Sequence, residues 1–358
     1  MEAFSANLGQ IQKWVGPQVK IMAVLKADGY GHGAIPLAKK AEVLKIPFIG
    51  VSSLEEGIVL RNMGIHTPIL ILGGIFPLDN FGVALEYDLT PMVSSFESAE
   101  ALSKAARKRK NSAPFHLKVD TGMGRLGSTV ASARKILDWV ASERAVRLEG
   151  VYSHFAAADA DDDFTREQLA NLLELKDAVK DSIGQKTLFH IANTAGLFGF
   201  KESHLDMVRP GISLYGETLR ASPASVTLEP VLSWYSKIVF LKKIPKGATV
   251  SYNRTYRAAR ESEIATLPVG YADGVPRLAS NKGSVLIKGR RCPIVGRVTM
   301  DQIMVDVTGA GAAVGDPVVL IGRQGAEKIS AAEWASWAET ISYEIFCGIS
   351  KRVPRVVI

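Results

Sequence analysis

Cysteine is scarce in this sequence, with only Cys292 and Cys347 among 358 residues and no CxxC pair. A disulfide framework is therefore not expected, and a reduced compartment fits. The sequence also lacks any run of about 18 apolar residues that would predict a membrane-spanning helix. Its first 14 residues lack the basic start and apolar core of a signal peptide. We therefore expect a cytoplasmic protein without a membrane partner.

Strong charge of one sign is also lacking, since the net charge is only +7 and the pI about 9.2. This mild excess of positive charge suits small anionic ligands. The longest basic run, KAARKRK at 104–110, is typical of the solvent-exposed face of a helix. Nucleic-acid binding would require a basic stripe with interleaved aromatic residues, and the sequence has none. Nucleic acid is therefore not an expected partner.

Hydrophobic residues make up 47% of the chain and charged residues 22%, as in ordinary globular proteins. Eight short apolar runs alternate with longer segments, of which 96–109, 130–142 and 164–182 have helical periodicity. The runs lie at 19–25, 47–52, 68–73, 89–93, 115–120, 148–155, 188–193 and 205–211. This pattern predicts a closed parallel (β/α)₈ barrel. An open doubly wound sheet is the main rival, but its glycine-rich fingerprint is missing after the first strand.

The pattern changes after about Leu219. Residues 221–230 resemble a linker, and strand-like runs separated by Gly or Pro follow at 231–244, 263–274, 283–296, 302–309 and 317–325. A helix is predicted only at 330–340. We therefore expect a barrel over residues 1–222 and a mainly β domain over 223–358. The acidic run at 159–164 is predicted to lie in an exposed loop.

Catalytic groups of a (β/α)₈ barrel lie where the strands end. The strand ends of this sequence carry Lys26, Asp120 with Arg125, His154, Asn193 with Thr194, and Arg209 with Gly211. A lysine beside a cavity can lose its proton and form a Schiff base with a carbonyl. The alternative is a lysine that reaches solvent, but the glycines of the following ADGYGHG allow close approach of the backbone to a bulky ligand.

Nine segments in order make the sequence resemble the alanine racemase family. They are AVLKADGYGHG (23–33), HLKVDTGMGRLG (116–127), GVYSHFA (150–156), HIANTAG (190–196), VRPGISLYG (208–216), VSYNRTY (250–256), LPVGYADGVPR (267–277), GRVTMDQIMVDV (296–307) and SYEIFCGISKRVPR (342–355). The resemblance implies a fold-type III pyridoxal-phosphate enzyme, with a barrel followed by a β domain. It also implies a cytoplasmic homodimer with shared active sites that interconverts L- and D-alanine and supplies D-alanine for peptidoglycan.

By this resemblance, Lys26 holds pyridoxal 5'-phosphate and is the base on one face of the substrate. Tyr252 of the partner subunit is the acid and base on the other face. Racemisation requires a proton to leave one face of Cα and return on the other, which two opposed groups achieve without moving the substrate. A phenol, with an ordinary pKa of about 10, is a poor base near neutrality. His154 and Arg209 are the implied neighbours that favour its phenolate.

The resemblance also places Arg209 at the pyridine nitrogen, where many such enzymes have a carboxylate. An always-charged guanidinium should leave this nitrogen unprotonated and limit side reactions. The alternative is an ion pair between Arg209 and Asp206 on the barrel rim. Further cofactor contacts are implied for Tyr30, His154, Asn193, Thr194, Gly211, Ile212 and Tyr343. Thr194 replaces the serine that is more usual in the family but keeps the hydroxyl.

For the substrate carboxylate, the resemblance implies a guanidinium from Arg125 and the backbone amide of Met300 of the partner subunit. Lys118 matches a lysine that is carbamylated in many relatives and orients the arginine. Tyr271 matches a residue that narrows the entry channel, and Asp301 borders that channel. No metal site is implied.

Three other functions remain open. A broad-specificity amino-acid racemase shares these motifs. A barrel-type decarboxylase would have an acid in place of Arg209 and a catalytic cysteine, for which Cys292 lacks the expected setting. A pyridoxal-phosphate carrier protein would have neither a second domain nor the tyrosine of VSYNRTY. Relatives usually have a further strand before the first helix, and we expect an exposed sheet edge where that strand would pair.

Overall fold

The chain forms two units in a computed structural model that describes residues 1–183 and 186–358. The first unit contains residues 1–29 and 33–229, and the second contains residues 30–32 and 230–358. The boundary that we propose between residues 222 and 223 lies in the segment 221–230, which is neither helix nor strand. None of the helices among the described residues has both the length and the apolar character needed to cross a bilayer.

In the part of the first unit that the structure describes, the core is a set of eight parallel strands. They are β1 (Lys20–Val24), β2 (Phe48–Val51), β3 (Ile69–Ile71), β4 (Met92–Val93), β5 (Ala113–Lys118), β6 (Val146–Tyr152), β7 (Leu188–His190) and β8 (Met207–Val208). Strands β3-β2-β1-β8 and β4-β5-β6-β7 form two four-stranded sheets. Hydrogen bonds of Thr90 join β3 to β4, and the amide of Asp206 donates to the carbonyl of Phe189 beside β7 and β8. The sheet is therefore closed, which confirms the predicted barrel and excludes the open sheet.

Helices surround these strands. They are α1 (Glu2–Val15), a left-handed turn α2 (Lys26–Tyr30), α3 (Ala34–Val43), α4 (Leu54–Asn62), α5 (Asn80–Glu86), α6 (Phe96–Arg109), α7 (Val130–Ser142), α8 (Asp162–Val179) and α9 (Thr194–Gly199). Helices α6 and α7 coincide with the predicted segments, since Ser95 and Thr129 cap their first turns. The predicted loop at 159–164 is wrong in its second half, because Asp161 caps α8 and the following acids favour a helix N-terminus.

The barrel interior is apolar on one level and polar on another. Met22, Phe48, Leu70 and Met207 pack together in the apolar part. In the polar part, the rings of Tyr152 and His190 stack with their centroids 4.9 Å apart. Tyr152 and His190 are the last residues of β6 and β7, so the polar part lies at the strand ends. Buried polar groups need hydrogen-bond partners, and those partners are described with the site.

The second unit is mainly antiparallel β-structure, as predicted. Its strands are β9 (Trp234–Lys237), β10 (Phe240–Ile244), β11 (Thr249–Val250), β12 (Tyr256–Arg257), β13 (Ser262–Leu267), β14 (Ser284–Ile287), β15 (Arg290–Pro293), β16 (Ile303–Asp306), β17 (Pro317–Gln324) and β18 (Glu327–Ile329). One sheet has the order β10-β13-β16, and another joins β15, β14, β17 and β18, with β9 also paired to β17. The predicted helix is α10 (Ala331–Trp337), and an unpredicted helix α11 (Ser342–Gly348) follows.

Candidate active site

Lys26 begins an unusual turn directly after β1. The following residues Ala27, Asp28 and Gly29 have φ values of 53°, 52° and 62°, which belong to the left-handed region. Such a run is disfavoured for residues with a Cβ atom, yet the amide of Gly29 closes it by donating to the carbonyl of Leu25 at 2.8 Å. The half-buried side chain of Lys26 therefore extends from a strongly constrained backbone at the end of a barrel strand.

Arg209 is buried inside the barrel with 4% of its surface exposed. Its guanidinium donates to Nδ1 of His190 at 2.9 Å, the carbonyl of Ser153 at 2.8 Å, the carbonyl of Ile191 at 3.0 Å and Nδ1 of His154 at 3.3 Å. All four acceptors are neutral. Burial lowers the pKa of Arg209 to about 10, so the guanidinium is charged at neutral pH.

The alternative ion pair between Arg209 and Asp206 is wrong. The Asp206 carboxylate instead accepts a hydrogen bond from the amide of Phe189 at 2.7 Å. Asp206 therefore supports the backbone between β7 and β8, and Arg209 is available to a ligand-binding site.

His154 lies among several cations. Burial lowers its pKa well below the ordinary value, and the positive charges of Arg209, Lys118, Arg125 and Lys26 lower the pKa further. Arginine can only donate hydrogen bonds, so Nδ1 of His154 must be the acceptor. The neutral ring consequently carries its proton on Nε2, where it can donate to another group.

Two further histidines extend the contacts of Arg209. Since Nδ1 of His190 accepts from Arg209, its Nε2 carries the proton and donates to Nδ1 of His116 at 2.9 Å. The Nε2 atom of His116 then carries a proton and lies 3.6 Å from a carboxylate oxygen of Glu149. Both imidazoles are completely buried, and their hydrogen bond extends the contacts of Arg209 toward the carboxylate of Glu149 on β6.

Lys118 ends β5 with 6% of its surface exposed, and its Nζ atom lies 4.5 Å from the centre of the Tyr152 ring. Burial, together with the charges of Arg209 and Arg125, lowers the pKa of Lys118 well below its ordinary value. The nearby carboxylate of Asp120 accepts hydrogen bonds from backbone amides of the loop that carries Arg125. Lys118 is thus a buried amine whose surroundings act against its charged form.

Lys26, Lys118, Arg125 and Arg209 form what we call the cationic cluster. Arg209 contacts His154 directly, Lys118 and Arg209 both lie against the Tyr152 ring, and the charges of all four groups lower the pKa of His154. A site of this kind attracts anions, and its buried part strengthens that attraction because little water screens it. The cluster therefore suits a ligand with phosphate and carboxylate groups.

Small polar groups meet where β7 and β8 end. The side chain of Asn193 caps α9 by accepting from the amide of Gly196. The Oγ1 atom of Thr194 accepts from the amide of Gly211 at 3.1 Å and lies 3.1 Å from Oγ of Ser213. Buried Ile212 lies between Gly211 and Ser213. Amides and hydroxyls at these strand ends are a common phosphate-binding arrangement in barrels.

Tyr252 of the second unit is 70% exposed. Its neighbours Ser251, Asn253 and Arg254 have φ values of 67°, 58° and 51°, which are costly for residues other than glycine. The Ser251 hydroxyl holds this segment by donating to the carbonyl of Arg297 at 2.7 Å. A large aromatic side chain is thereby presented to solvent by a strained backbone.

The remaining predicted residues of the second unit fall into two groups. The rings of Tyr30 and Tyr343 lie 5.7 Å apart. Met300 and Tyr271 are exposed, and the carboxylate of Asp301 accepts from Arg352 at 2.9 Å. The segments of Tyr271 and Met300 are adjacent, because the amide of Ala272 donates to the carbonyl of Met300.

Two family models divide the chain between them. "Alanine racemase, N-terminal domain" matches residues 1–219, and "Alanine racemase, C-terminal domain" matches residues 231–357. The chain belongs to the alanine racemase family. Among curated alanine racemases, that of Halothermothrix orenii is 46% identical over 352 residues, which is 98% of this chain and 93% of the relative. The alanine racemase of Symbiobacterium thermophilum is 46% identical over 365 residues, or 99% and 94% of the two chains.

Solved alanine racemases have the same fold. The Bacillus anthracis alanine racemase with bound L-Ala-P superposes with a TM-score of 0.90 at 37% identity, covering all of this chain and 93% of the other. The Clostridium difficile alanine racemase superposes with a TM-score of 0.91 at 34% identity, covering 99% and 92% of the two chains. Both units of this alanine racemase family member thus have structural counterparts across their length.

Within the barrel unit, the structure brings together most residues of the predicted site. Lys26, Lys118, Arg125, His154 and Arg209 belong to one electrostatic group. The hydroxyl of Ser213 and the paired histidines His116 and His190 were not predicted as site components. Ser213 lies within the motif VRPGIS, so the motif contained a signal for it. His116 and His190 likewise begin the segments HLKVDTGMGRLG and HIANTAG, but a single polar residue in an apolar strand does not indicate which contact it makes.

Proposed function

We propose that this chain is a pyridoxal 5'-phosphate-dependent racemase that interconverts L- and D-alanine. The observation that carries the proposal is Lys26 at the end of a barrel strand, within a cationic cluster, in a chain of the alanine racemase family. The lysine supplies the amine that an aldehyde cofactor needs. The cationic cluster supplies the charge that an anionic cofactor and an amino-acid carboxylate need.

The side chains fit this cofactor. Lys26 would hold it covalently, and Arg209 would contact its ring nitrogen. The phosphate would be held by Thr194, Gly211 and Ile212, with hydroxyls donated by Tyr30 and Tyr343. His154 and Asn193 would make further contacts with the cofactor. The amide of Gly211 donates to the hydroxyl oxygen of Thr194, so these two residues of the proposed phosphate site are in contact. When bound, pyridoxal phosphate supplies an electron sink that acidifies the α-hydrogen of an amino acid.

Two groups of the protein then move the α-proton. The Lys26 amine accepts it at Nζ on one face of the substrate. Tyr252 of the partner subunit returns a proton from its hydroxyl on the other face, and the roles reverse in the opposite direction. A homodimer is required because each site uses the partner's Tyr252. The exposed position of this tyrosine on a strained segment supports a role outside its own subunit.

His154 and Arg209 would lower the cost of forming the phenolate. The Nε2 proton of neutral His154 can donate to a phenolate oxygen, and the Arg209 charge behind this ring strengthens that donation. Among the described residues, Arg209 donates only to neutral acceptors, so its positive charge is not cancelled locally.

For the substrate, Arg125 would bind the carboxylate with the backbone amide of Met300 of the partner subunit. Lys118, whose neutral amine can react with carbon dioxide, would carry a carbamate that orients Arg125. Tyr271 would narrow the entry and Asp301 would border it, which would disfavour amino acids with larger side chains. We place the enzyme in the cytoplasm, where its D-alanine would supply peptidoglycan synthesis.

The experiment is to incubate the purified protein with pyridoxal phosphate and L-alanine and to follow D-alanine. Wild type should form D-alanine, whereas Lys26→Ala and Tyr252→Phe should lose most of this activity. Larger amino acids, assayed in parallel, measure substrate breadth, and carbon dioxide release tests the decarboxylase alternative. Full racemase activity in Lys26→Ala would reject the proposed function.

A further inference from the structure

The peptide that follows Lys26 needs external support. Ala27 and Asp28 adopt left-handed conformations, and Tyr30 also has a positive φ of 52°. A side chain disfavours this region because its Cβ atom crowds the neighbouring carbonyl. Asp28 provides one restraint at the far end of the turn, where its carboxylate accepts from the amide of Ala34 at 2.7 Å. The near end, beside Lys26, is restrained by a different residue.

That residue is Glu56, in the first turn of α4. One oxygen of its carboxylate accepts from the amide of Ala27 at 2.7 Å, and the other accepts from the amide of Ser52 at 2.6 Å. Ala27 follows the lysine, and Ser52 follows β2. An ionised carboxylate accepts on both oxygens and donates nothing, so it satisfies both amides at once.

The two amides belong to neighbouring strands. Strands β1 and β2 are parallel, with Val24 opposite Gly50, and the amide of Leu25 donates to the carbonyl of Gly50 at 2.8 Å. Glu56 continues this connection beyond the ends of both strands, after the regular ladder has stopped. It therefore ties the peptide of Lys26 to the rigid edge of the barrel.

We propose that Glu56 is a positioning residue that holds the left-handed turn and thereby fixes the backbone from which Lys26 reaches the cofactor. This inference rests on the proposed function only in assigning the cofactor to Lys26. Two hydrogen bonds from amides to a charged acceptor are stronger than bonds to a neutral one. Without them, the turn can relax toward right-handed conformations, and the Lys26 side chain then starts in another direction.

The test compares Glu56→Gln and Glu56→Ala with Glu55→Gln. Glu55 is the adjacent acid on the same helical turn, and its exposed carboxylate accepts hydrogen bonds from Ser53 and from its own backbone. It therefore controls for lost charge at this helix terminus. The glutamine at position 56 keeps one acceptor oxygen and presents a donor to the other amide, whereas alanine removes both acceptors.

The first readout is amide hydrogen exchange in the full-length apoprotein, resolved at Ala27 and Ser52. We expect exchange to accelerate at least about tenfold in Glu56→Ala and less in Glu56→Gln. Glu55→Gln and amides in β5 and β6 should exchange as in wild type. Unchanged exchange at Ala27 and Ser52 in Glu56→Ala would overturn the proposal, as would equal acceleration throughout the barrel.

The second readout is loading of the cofactor. We expect the Kd for pyridoxal phosphate to rise about tenfold or more in Glu56→Ala, and borohydride trapping on Lys26 to slow, while the KM for alanine of the loaded enzyme stays near the wild-type value. Wild-type affinity and trapping in Glu56→Ala would overturn the positioning role. If borohydride traps nothing on Lys26 in the wild type, the proposed function fails, and the exchange measurement still tests the Glu56 contacts.

Discussion

Lowering the pH from 7.5 to 5.5 should destabilise the barrel, because His116 and His190 are buried as neutral rings. Burial lowers the pKa of both groups, with further lowering by Arg209, whereas Glu149 partly opposes the shift at His116. The positive charges of Lys118 and Arg147 also face these rings. In the unfolded chain, each histidine is free to take up a proton near pH 6.5.

The sign of the effect follows from proton binding. Below about pH 6.5 the unfolded state binds protons that the folded state does not, so the free energy of unfolding decreases as the pH falls. A histidine that stays unprotonated in the folded state lowers the free energy of unfolding by about 1.4 kcal/mol between pH 7.5 and 5.5. The two histidines together lower it by up to about 3 kcal/mol. Carboxylates with lowered pKa values change the free energy of unfolding mainly below about pH 4.5, which is outside this interval.

The assay is urea unfolding followed by far-ultraviolet circular dichroism at pH 7.5, 6.5 and 5.5, at one protein concentration. Replacing His116 with Gln should reduce the pH dependence by up to about 1.4 kcal/mol, because one titrating ring is removed. The matched control is His66→Gln, which should preserve the pH dependence because His66 is exposed to water. A free energy of unfolding that is constant or increases toward pH 5.5 would refute the reasoning.

Three other substitutions test separate parts of the site. Gly127→Ala should lower the stability by about 1–3 kcal/mol, measured by urea unfolding, because Gly127 has a φ of 132° and a Cβ atom there would lie 2.6 Å from the amide nitrogen of Asp120. Intact-mass analysis in bicarbonate should show one bound carbon dioxide in wild type and none in Lys118→Arg; an unchanged adduct in the variant would refute the carbamate. Asn281→Ala should lower kcat about three- to tenfold, because Asn281 accepts from the amide of Gly296 and donates to the hydroxyl of Thr255, three residues after Tyr252, and an unchanged kcat would show that these bonds do not position the tyrosine.

The sequence was sufficient to predict the barrel, because eight apolar runs of strand length alternate with amphipathic helices. The capped helices α6 and α7 were predicted to the residue, since periodicity and capping agree there. Helix α11 was not predicted, because its seven residues are too few for periodicity to distinguish and it lacks the capping box of Ser330 and Glu333 that marks the equally short α10. The start of α8 was also misplaced, because acids typical of a loop are equally favourable in a first helical turn.

The site was predictable where chemistry and motif coincide, as at Lys26 and Arg209. Its supporting contacts were not, because they join residues far apart in the chain. Glu56 reaches Ala27 across 29 positions, and His190 reaches His116 across 74. The left-handed conformation of Ala27 has no local signal, since alanine favours right-handed helices. Such features follow from tertiary hydrogen bonds that only the folded structure displays.

The most direct test of the two-base account is exchange of the α-hydrogen of alanine in deuterium oxide, with each enantiomer supplied separately. We predict that wild-type enzyme exchanges and inverts both enantiomers. Tyr252→Phe should retain exchange for one enantiomer, through Lys26, with little inversion. Inversion by Tyr252→Phe at the wild-type rate, with equal exchange of both enantiomers, would contradict the account.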